Sequence, residues 1–403
     1  MYNAVGRILE RLGRGGESFV AAEEALFEEA RRGAGLEDFG ARDFREPLRV
    51  LLHAYDAESR LTPLGRTMVR AELLGALTSR LRVQEAWKRK PELLTSPVRQ
   101  PIFILGLPRT GTTALHHLLA QDPDHQLLEY WLASAPGPRP PRETWPSDPR
   151  YRDAQRGLRM MYGLDPELRT IHRMTADGPD ECRHLFVQSF LDHTFDHNAT
   201  IPSYTRFFAA QPMDGAYARH RDVLKLIQAE TRERRWVLKY PAHLRNLEVL
   251  LATYPDACLV QTHRDPARVL PSICSLVAGW RGLYEDDIDP GWIGRWQLDF
   301  LASMVERAIE VRARSAQARF FDLSFAELRR DPIAAVGRLY DHFGFTLSAE
   351  AERRMVAWHA QQGDGESGSH VYRSADFGLS PETIRERFKP YTERFEVAAE
   401  PLV

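Results

Sequence analysis

The N-terminal quarter of the chain carries apolar residues at helical spacing. In residues 43–55 the apolar positions recur every three or four residues and share one helix face. Thr62 and Pro63 then provide a helix start, with a capping hydroxyl followed by a proline in the first turn. No segment before residue 95 has the alternation of a strand. We therefore predict a helical N-terminal subdomain over residues 1–98.

From Pro101 onward, short apolar runs take the place of long amphipathic helices. The runs that we predict to be strands are residues 101–105, 236–238, 258–262 and 319–323. Helical patterns follow the first three runs. Because alternating strands and helices form parallel sheets with right-handed crossovers, we predict an α/β fold. It is a P-loop-like parallel sheet flanked by helices, in one domain over residues 99–403.

One long connection lacks either pattern. Residues 135–149 read APGPRPPRETWPSDP, and so many prolines prevent a regular helix or strand. Connections of this length in a compact domain often serve as lids or as walls of substrate sites. We predict such a role for this stretch.

Composition and charge exclude several classes of protein. The chain has 403 residues, 54 basic and 56 acidic side chains and a formal charge of −2, so it has no overall basic field for nucleic acid. Its three cysteines include no CxxC pair, which fits a reducing compartment. We find no signal peptide and no apolar run of membrane-spanning length. We expect a cytoplasmic protein without a nucleic-acid partner or a membrane span.

The first candidate site is a glycine-containing loop. Residues 106–113 read GLPRTGTT, between a predicted strand and a helix. Such a loop offers backbone N–H groups and the positive end of a helix dipole to an anion. A Walker A loop has lysine directly after its second glycine. Here that position is Thr112, and the cation, Arg109, lies inside the loop. The pattern indicates a single phosphate group, the alternative being a capped helix with a surface arginine.

A second candidate site follows the third predicted strand. Arg264 lies at the strand end, and Ser272 comes eight positions later on the next helix. Arginine can grip a phosphate with two charged hydrogen bonds, and serine adds a neutral one. The alternative is an Arg264 paired with Asp265 and a solvated serine. Two anion sites at neighbouring strand ends fit a nucleotide phosphorylated at its 3′ and 5′ positions.

These segments together resemble the sulfotransferase family that uses 3′-phosphoadenosine-5′-phosphosulfate (PAPS). The matching strings are GLPRTGTT at 106–113, LKYPAHL at 238–244, THRDPARVLPS at 262–272 and a DFGLSPE…RF-like tail at 376–395. The last string and the helical N-terminal segment are similar to a bacterial branch of the family. The resemblance implies a sulfotransferase that moves the sulfuryl group of PAPS to a hydroxyl of a small or lipid-like acceptor and releases adenosine 3′,5′-bisphosphate, with no metal expected.

The resemblance also implies roles for particular residues. Those that would hold the 5′-phosphosulfate are Arg109 and the backbone of Thr110, Gly111, Thr112 and Thr113. Arg264 and Ser272 would hold the 3′-phosphate. Lys239 would contact the bridging oxygen or the sulfuryl group, where fixed positive charge meets developing negative charge. Two alternatives stay open: a P-loop kinase that uses ATP and Mg²⁺, and a nucleotide-binding scaffold that has lost its base.

The general base is the open part of this prediction. A carboxylate or histidine must accept the proton of the attacking hydroxyl. Glu129 resembles the base glutamate of the tyrosylprotein and heparan 3-O branches, or is a surface carboxylate. His243 follows Lys239 by four positions, where the cytosolic branch has a base histidine after two, or it caps a helix. The further candidates are His172 and Glu181, which flank an acidic turn.

Two other groups of residues complete the sequence predictions. His193 and His197 have the spacing of metal ligands on a helix, but without an evident third ligand we predict a solvated or core-edge pair. Five aromatic residues near the proposed sites could line an apolar acceptor pocket. They are Tyr130, Trp131, Trp145, Trp280 and Tyr284. The sequence does not identify the acceptor or the oligomeric state.

Overall fold

The N-terminal part of the protein is helical, as predicted. The structure is a computed structural model that describes residues 17–164, 173–362 and 373–401. Within these residues the chain begins with α1 (Glu23–Ala34), α2 (Arg45–Ala57) and α3 (Pro63–Arg89). The side chain of Thr62 accepts a hydrogen bond from the backbone N–H of Gly65, so it caps α3 at the predicted start. In the described part of the chain, no helix is both long and apolar enough to cross a lipid bilayer.

A five-stranded parallel sheet lies at the centre of the protein. Its strands are β1 (Ile102–Gly106), β2 (His125–Leu127), β3 (Arg235–Lys239), β4 (Cys258–His263) and β5 (Phe320–Ser324). They pair in the order β2-β3-β1-β4-β5, and every pairing is parallel. The predicted α/β fold and its four strands are confirmed. The edge strand β2 was not predicted, because its three residues are too few to show the alternation of apolar and polar positions that is typical of a strand.

Helices and short helical turns connect the strands and cover the sheet. The remaining α-helices are α4 (Thr112–Leu119), α5 (Tyr130–Ser134), α6 (Pro149–Leu164), α7 (Arg183–Phe186), α8 (Phe195–Asn198), α9 (Pro202–Ala210), α10 (Asp214–Ile227), α11 (Leu247–Thr253), α12 (Pro266–Arg281), α13 (Pro290–Ala313), α14 (Phe325–Arg330), α15 (Pro332–Phe343), α16 (Ala349–Gln362), α17 (Pro381–Arg387) and α18 (Lys389–Arg394). Single 3₁₀ turns lie at Arg42–Phe44, Pro91–Thr95, Arg142–Ser147, Val187–Ser189, Gln228–Glu230, Pro241–Asn246, Gln317–Arg319 and Ser374–Phe377.

The central strand β1 is buried on both faces of the sheet, so all of its residues are apolar. Side chains alternate between the faces: Phe103 and Leu105 belong to one core, whereas Ile102 and Ile104 belong to the other. The second core is filled from α4, α14, α15 and α16. The first is larger, and it includes the N-terminal helices α1 to α3. A parallel sheet covered on both faces leaves only its strand ends open to ligands.

The N-terminal helices are joined to the sheet domain by polar contacts as well as by this core. Arg80 on α3 is buried, and its guanidinium donates to the carbonyl oxygens of Phe39, Ala41 and Gln188 at 2.9, 2.7 and 3.1 Å. Gln188 lies beyond β2, in the sheet domain. The division of the chain at residue 98 stays a prediction, and the structure shows that the two parts share one core.

Candidate anion site and adjoining cavity

The backbone conformation of the loop from Gly106 to Thr113 is imposed by the residues packed around it. Gly106, Arg109 and Gly111 have positive φ angles of 139°, 65° and 88°. A Cβ atom on Gly106 would lie 2.6 Å from the carbonyl oxygen of Thr262, and one on Gly111 would lie 3.0 Å from Leu328. Glycine is therefore required at both positions. Arg109 adopts a conformation that is uncommon for a side chain of its size, and such strain is typical of ligand sites.

Buried hydroxyl groups fix the loop to the neighbouring strand. The Thr110 hydroxyl donates to the carbonyl of Leu107 at 2.6 Å and lies 2.5 Å from the hydroxyl of Thr262, at the end of β4. Thr112 then opens α4, and Gly111 is its N-cap residue. The side chain of Thr110 thus makes its hydrogen bonds to other residues of the protein. What this loop offers to an anion is the backbone at the start of α4.

The two predicted anion sites meet in the structure. The Nε of Arg109 donates to the hydroxyl of Ser272 on α12 at 3.0 Å. The Nη1 of Arg264 donates to the carbonyl oxygen of Arg109 at 3.1 Å. The guanidinium of Arg264 also lies 4.0 Å from the centre of the Phe325 ring. Two arginines, a serine and a helix start therefore converge at the carboxyl ends of β1 and β4.

A carboxylate from the C-terminal segment already lies on one of these arginines. Both oxygens of Glu400 accept from Arg264, at 2.9 Å from Nε and 3.1 Å from Nη2. The backbone N–H of Glu400 donates to Asp265 at 2.8 Å, and Arg385 donates to the carbonyl of Glu400 at 3.3 Å. This two-oxygen grip is the geometry in which arginine binds a carboxylate or a phosphate.

Lys239, the third predicted cation, lies at the end of β3. Its Nζ donates to Oε1 of Glu181 at 2.6 Å and lies 3.4 Å from the hydroxyl of Thr113 in the first turn of α4. Only 3% of Lys239 is exposed. The ammonium group is thus held between the anion loop and the acidic turn that contains Glu181.

A cavity of about 520 Å³ adjoins this lysine–glutamate pair. Glu181, Tyr240 and Pro108 of the anion loop are among its lining residues. Most of the wall is apolar, and many of its residues come from α3, α12 and α13. Its apolar residues include Ala71, Ala76, Met161, Met174, Ile273, Leu276, Val277, Phe300, Leu301 and Met304. The N-terminal helical part of the chain therefore supplies one wall of the cavity.

The polar side of the cavity is organised in hydrogen-bonded groups. The hydroxyl of Tyr240 donates to Asp192 at 2.6 Å and lies 2.7 Å from Nδ1 of His193, a cavity residue. Because Tyr240 has one proton to give, His193 donates from Nδ1 and keeps a lone pair on Nε2. Burial lowers the pKa of His193, so its ring is neutral at pH 7. His193 and His197 belong to this cavity wall, with their rings 5.1 Å apart.

The structure does not bring Glu129 or His243 to the cavity. Glu129 is buried in an ion pair with Arg139, and burial raises the pKa of this carboxyl. His243 lies in the apolar core, where its Nδ1 is 2.7 Å from the hydroxyl of Tyr217. Neither is among the cavity residues, and both lie in buried packing, so the geometry favours neither as the base. His172 lies outside the described residues.

Two further sequence predictions have a mixed outcome. Tyr130 and Trp280 line the cavity, whereas Trp131 and Trp145 pack together in the core, with ring centres 5.4 Å apart, and Tyr284 is buried. The lining residues that the structure describes include none from the proline-rich stretch 135–149. The stretch supplies Trp145 to the core and Arg139 to Glu129, so it packs against the core outside the cavity wall.

Sequence reasoning missed the partners of the predicted residues. Glu400 lies 136 residues beyond Arg264 and follows no motif, so only the fold brings the two together. Glu181 was recognisable as part of an acidic turn, but its contact with Lys239 spans 58 residues. The hydrogen bonds of Tyr240 likewise depend on the tertiary structure. Spacing within a motif identified the cations but not the groups that neutralise them.

The chain is similar to known sulfotransferases in sequence and in structure. A model of the sulfotransferase family matches residues 101–349. The omega-hydroxy-beta-dihydromenaquinone-9 sulfotransferase Stf3 of Mycobacterium tuberculosis is 27% identical over 286 residues, which cover 64% of this chain and 67% of that protein. The crystal structure of sulfotransferase STF1 from Mycobacterium tuberculosis has 41% identity and a TM-score of 0.84, covering 93% of this chain and 100% of that one. That of STF9 from Mycobacterium avium has 30% identity and a TM-score of 0.87, covering 94% and 97%.

The substitution Gly106→Ala tests the close approach of the loop to β4. We expect it to lower the free energy of unfolding by about 3 kcal/mol, because the new methyl group meets the backbone of Thr262 at a positive φ. Gly337→Ala is the matched control: this helical glycine has open space around it, and the change should raise stability by up to about 1 kcal/mol. Denaturant unfolding measures both. Equal stability of Gly106→Ala and the wild type would contradict this account of the loop.

Proposed function

The chain belongs to the sulfotransferase family, and from that premise we propose that it transfers the sulfuryl group of PAPS to a hydroxyl of a lipid-like acceptor. The products are a sulfate ester and adenosine 3′,5′-bisphosphate. The observation that carries the proposal is the convergence of Arg109, Arg264 and Ser272 beside Lys239, at the end of an apolar cavity.

On the nucleotide side, each phosphate has a separate set of ligands. The loop backbone from Thr110 to Thr113, with Arg109, holds the 5′-phosphosulfate at the start of α4. Arg264 and Ser272 hold the 3′-phosphate. The hydrogen bonds of Arg109 to Ser272 and of Arg264 to the Arg109 carbonyl support this assignment, because they connect the two sets in one rigid group. A nucleotide with only one phosphate would bind to only one of the two sets of ligands.

Lys239 supplies positive charge where the reaction needs it. When the acceptor oxygen attacks sulfur, the bond from sulfur to the bridging oxygen breaks and negative charge moves to the leaving 5′-phosphate. An ammonium group held 3.4 Å from Thr113 is positioned to meet that charge. Its burial strengthens the interaction, because little water competes inside the protein.

On the acceptor side, the cavity favours an apolar molecule with a terminal hydroxyl. Apolar residues form most of its wall, many of them from α3, α12 and α13, and Glu181 in the same wall contacts Lys239. An acceptor with its apolar body between α3 and α13 would place its hydroxyl next to this charged end. The name of the 27% identical relative Stf3, which gives an omega-hydroxy menaquinone derivative as its acceptor, agrees with this chemistry.

We assign the role of general base to Glu181. It lines the cavity, contacts Lys239 and carries a carboxylate that can accept the proton of the attacking hydroxyl. As Lys239 turns toward the sulfuryl group, its contact with Glu181 weakens and the carboxylate gains basicity. Of the four candidates from the sequence, Glu181 is the one that lies in the cavity within the described residues.

The family match does not support the kinase alternative. A P-loop kinase needs a lysine at position 112 to reach the outer phosphates of ATP. Thr112 occupies that position, and the nearby lysine comes from β3 and is paired with a glutamate. The loop therefore suits one phosphate bearing a transferable group.

The substitution Arg264→Ala tests the 3′-phosphate site. We expect it to weaken binding of adenosine 3′,5′-bisphosphate about 10- to 100-fold, because a charged hydrogen-bond partner contributes roughly 1.5–3 kcal/mol. Binding of 5′-AMP, which lacks the 3′-phosphate, should change little. Arg268→Ala, in the first turn of α12, is the control. Calorimetric titration gives the affinities, and loss of both nucleotides to the same extent would contradict the assignment.

The substitution Glu400→Gln tests the contact between the C-terminal segment and the same arginine. Removing the charge that competes for Arg264 should tighten binding of adenosine 3′,5′-bisphosphate about three- to tenfold, since half-exposed ion pairs are modest in strength. Glu393→Gln, at an exposed position of α18, is the control and should have no effect. Unchanged affinity in Glu400→Gln would show that the tail does not compete with the nucleotide.

The substitution Glu181→Gln tests the base. We expect the turnover number to fall at least about 100-fold with nucleotide affinity retained, since general base catalysis contributes factors of this size. Release of adenosine 3′,5′-bisphosphate from PAPS with an omega-hydroxylated menaquinone derivative provides the assay. Asp177→Asn, in the same acidic turn but outside the cavity, is the control. Retained activity in Glu181→Gln, with loss in His193→Gln, would transfer the role to His193.

A further inference from the structure

Three buried side chains behind the active site converge in a way that the transfer reaction does not use. The Sγ of Cys182 and one ring nitrogen each of His220 and His243 lie within 4.8 Å of one another. Cys182 precedes α7, His220 is on α10, and His243 is in the turn after β3. All three residues are fully buried, with no exposed surface.

Both histidines have one nitrogen engaged and one without a partner. The Nδ1 of His220 is 2.6 Å from the hydroxyl of Tyr254, and the Nδ1 of His243 is 2.7 Å from that of Tyr217. The Nε2 atoms of both rings are buried and have no hydrogen-bond partner. Leaving a buried polar atom unsatisfied costs about 1–3 kcal/mol. Two such atoms in a cluster with one buried thiol are therefore an unfavourable arrangement unless something binds among them.

The two tyrosines resemble the outer partners of metal-bound histidines. A histidine that binds a metal through one nitrogen donates its other N–H to a nearby oxygen, which fixes the tautomer and the ring orientation. Here the hydroxyls of Tyr254 and Tyr217 take that position. Burial lowers the pKa of His220 to about 3 and that of His243 well below its usual value, so both rings are neutral ligands at pH 7.

We propose that Cys182, His220 and His243 bind one monovalent copper ion. Thiolate and imidazole are ligands that soft metal ions prefer. One thiolate and two neutral imidazoles balance the single charge of Cu(I), which leaves the buried site neutral. Zn²⁺ would leave one net positive charge there and usually takes four ligands. On binding, the thiol of Cys182 loses its proton to solvent as the copper–sulfur bond forms, with no change in oxidation state.

The location of the site gives the ion a structural effect on the reaction centre. The backbone N–H of Cys182 donates to the carbonyl of Lys239 at 3.0 Å, and Cys182 directly follows Glu181. His243 lies four residues after Lys239. An ion on Cys182 and His243 would thus fasten the acidic turn to the end of β3. This inference does not depend on the proposed acceptor or on the role of any residue in sulfuryl transfer.

Competition with a chromophoric Cu(I) chelator tests the proposal on the reduced, full-length chain. Bicinchoninate complexed to Cu(I), without oxygen, is the probe. The wild type should remove one equivalent of copper, and Cys182→Ala should bind it at least about 100-fold more weakly. Cys274→Ala is the matched control, because Cys274 is also fully buried but belongs to α12, outside the cluster. His220→Gln serves as a second ligand variant, and melting curves without metal confirm that each variant folds.

Several outcomes would overturn the proposal. One is failure of the wild type to take up copper, even when Cu(I) is present during refolding. Another is equal copper affinity in Cys182→Ala and the wild type, or an equal loss in Cys274→Ala. Tighter binding of Zn²⁺ than of Cu(I) in the same competition would overturn the choice of ion.

Discussion

The close contact between the ends of β1 and β4 is the constraint on which the rest of the site depends. Gly106 is paired with Thr262 in the sheet register, and its Cα lies so near the Thr262 carbonyl that no side chain fits. Because the two strand ends lie so close, the hydroxyl of Thr110 contacts that of Thr262. The loop then leads directly into α4. Arg109 then lies within 3.0 Å of Ser272, one helix beyond β4. This contact brings the two predicted anion sites, which lie on different strands, together at one place.

Charge balance explains why the site is stable before a nucleotide binds. Three cations close together would repel one another and lose hydration, which is costly unless each has a partner. Lys239 is paired with Glu181 and Arg264 with Glu400, and the guanidinium of Arg109 donates to Ser272. In the proposed reaction the nucleotide takes over these cations. Glu181 would then be released as the proposed base, and Glu400 would leave Arg264.

The sequence was a good guide to the features that are local and a poor one to those that are not. The loop 106–113 and the apolar runs of the four longer strands depend on neighbouring residues, and the structure contains them. Glu129 and His243 were chosen by distance along the chain from Arg109 and Lys239. Spacing does not tell on which side of a turn a side chain emerges, and both emerge into buried packing. The roles of Arg109, Arg264, Ser272 and Lys239 stay predictions, now with a common location.

The N-terminal helices contribute to the cavity, although they are far in sequence from the loop and the arginines at the strand ends. The anion loop and both arginines lie at the ends of the strands. The cavity proposed for the acceptor, by contrast, depends on α3, whose residues Ala71, Gly75 and Ala76 form part of its wall. Because these side chains are small, they leave the cavity its volume. Arg80, about one turn beyond Ala76 on α3, holds the same helix to the carbonyl of Gln188, another cavity residue. In the proposed reaction, the helical part of the chain would therefore set the shape that an acceptor must fit, while residues at the strand ends would supply the chemistry.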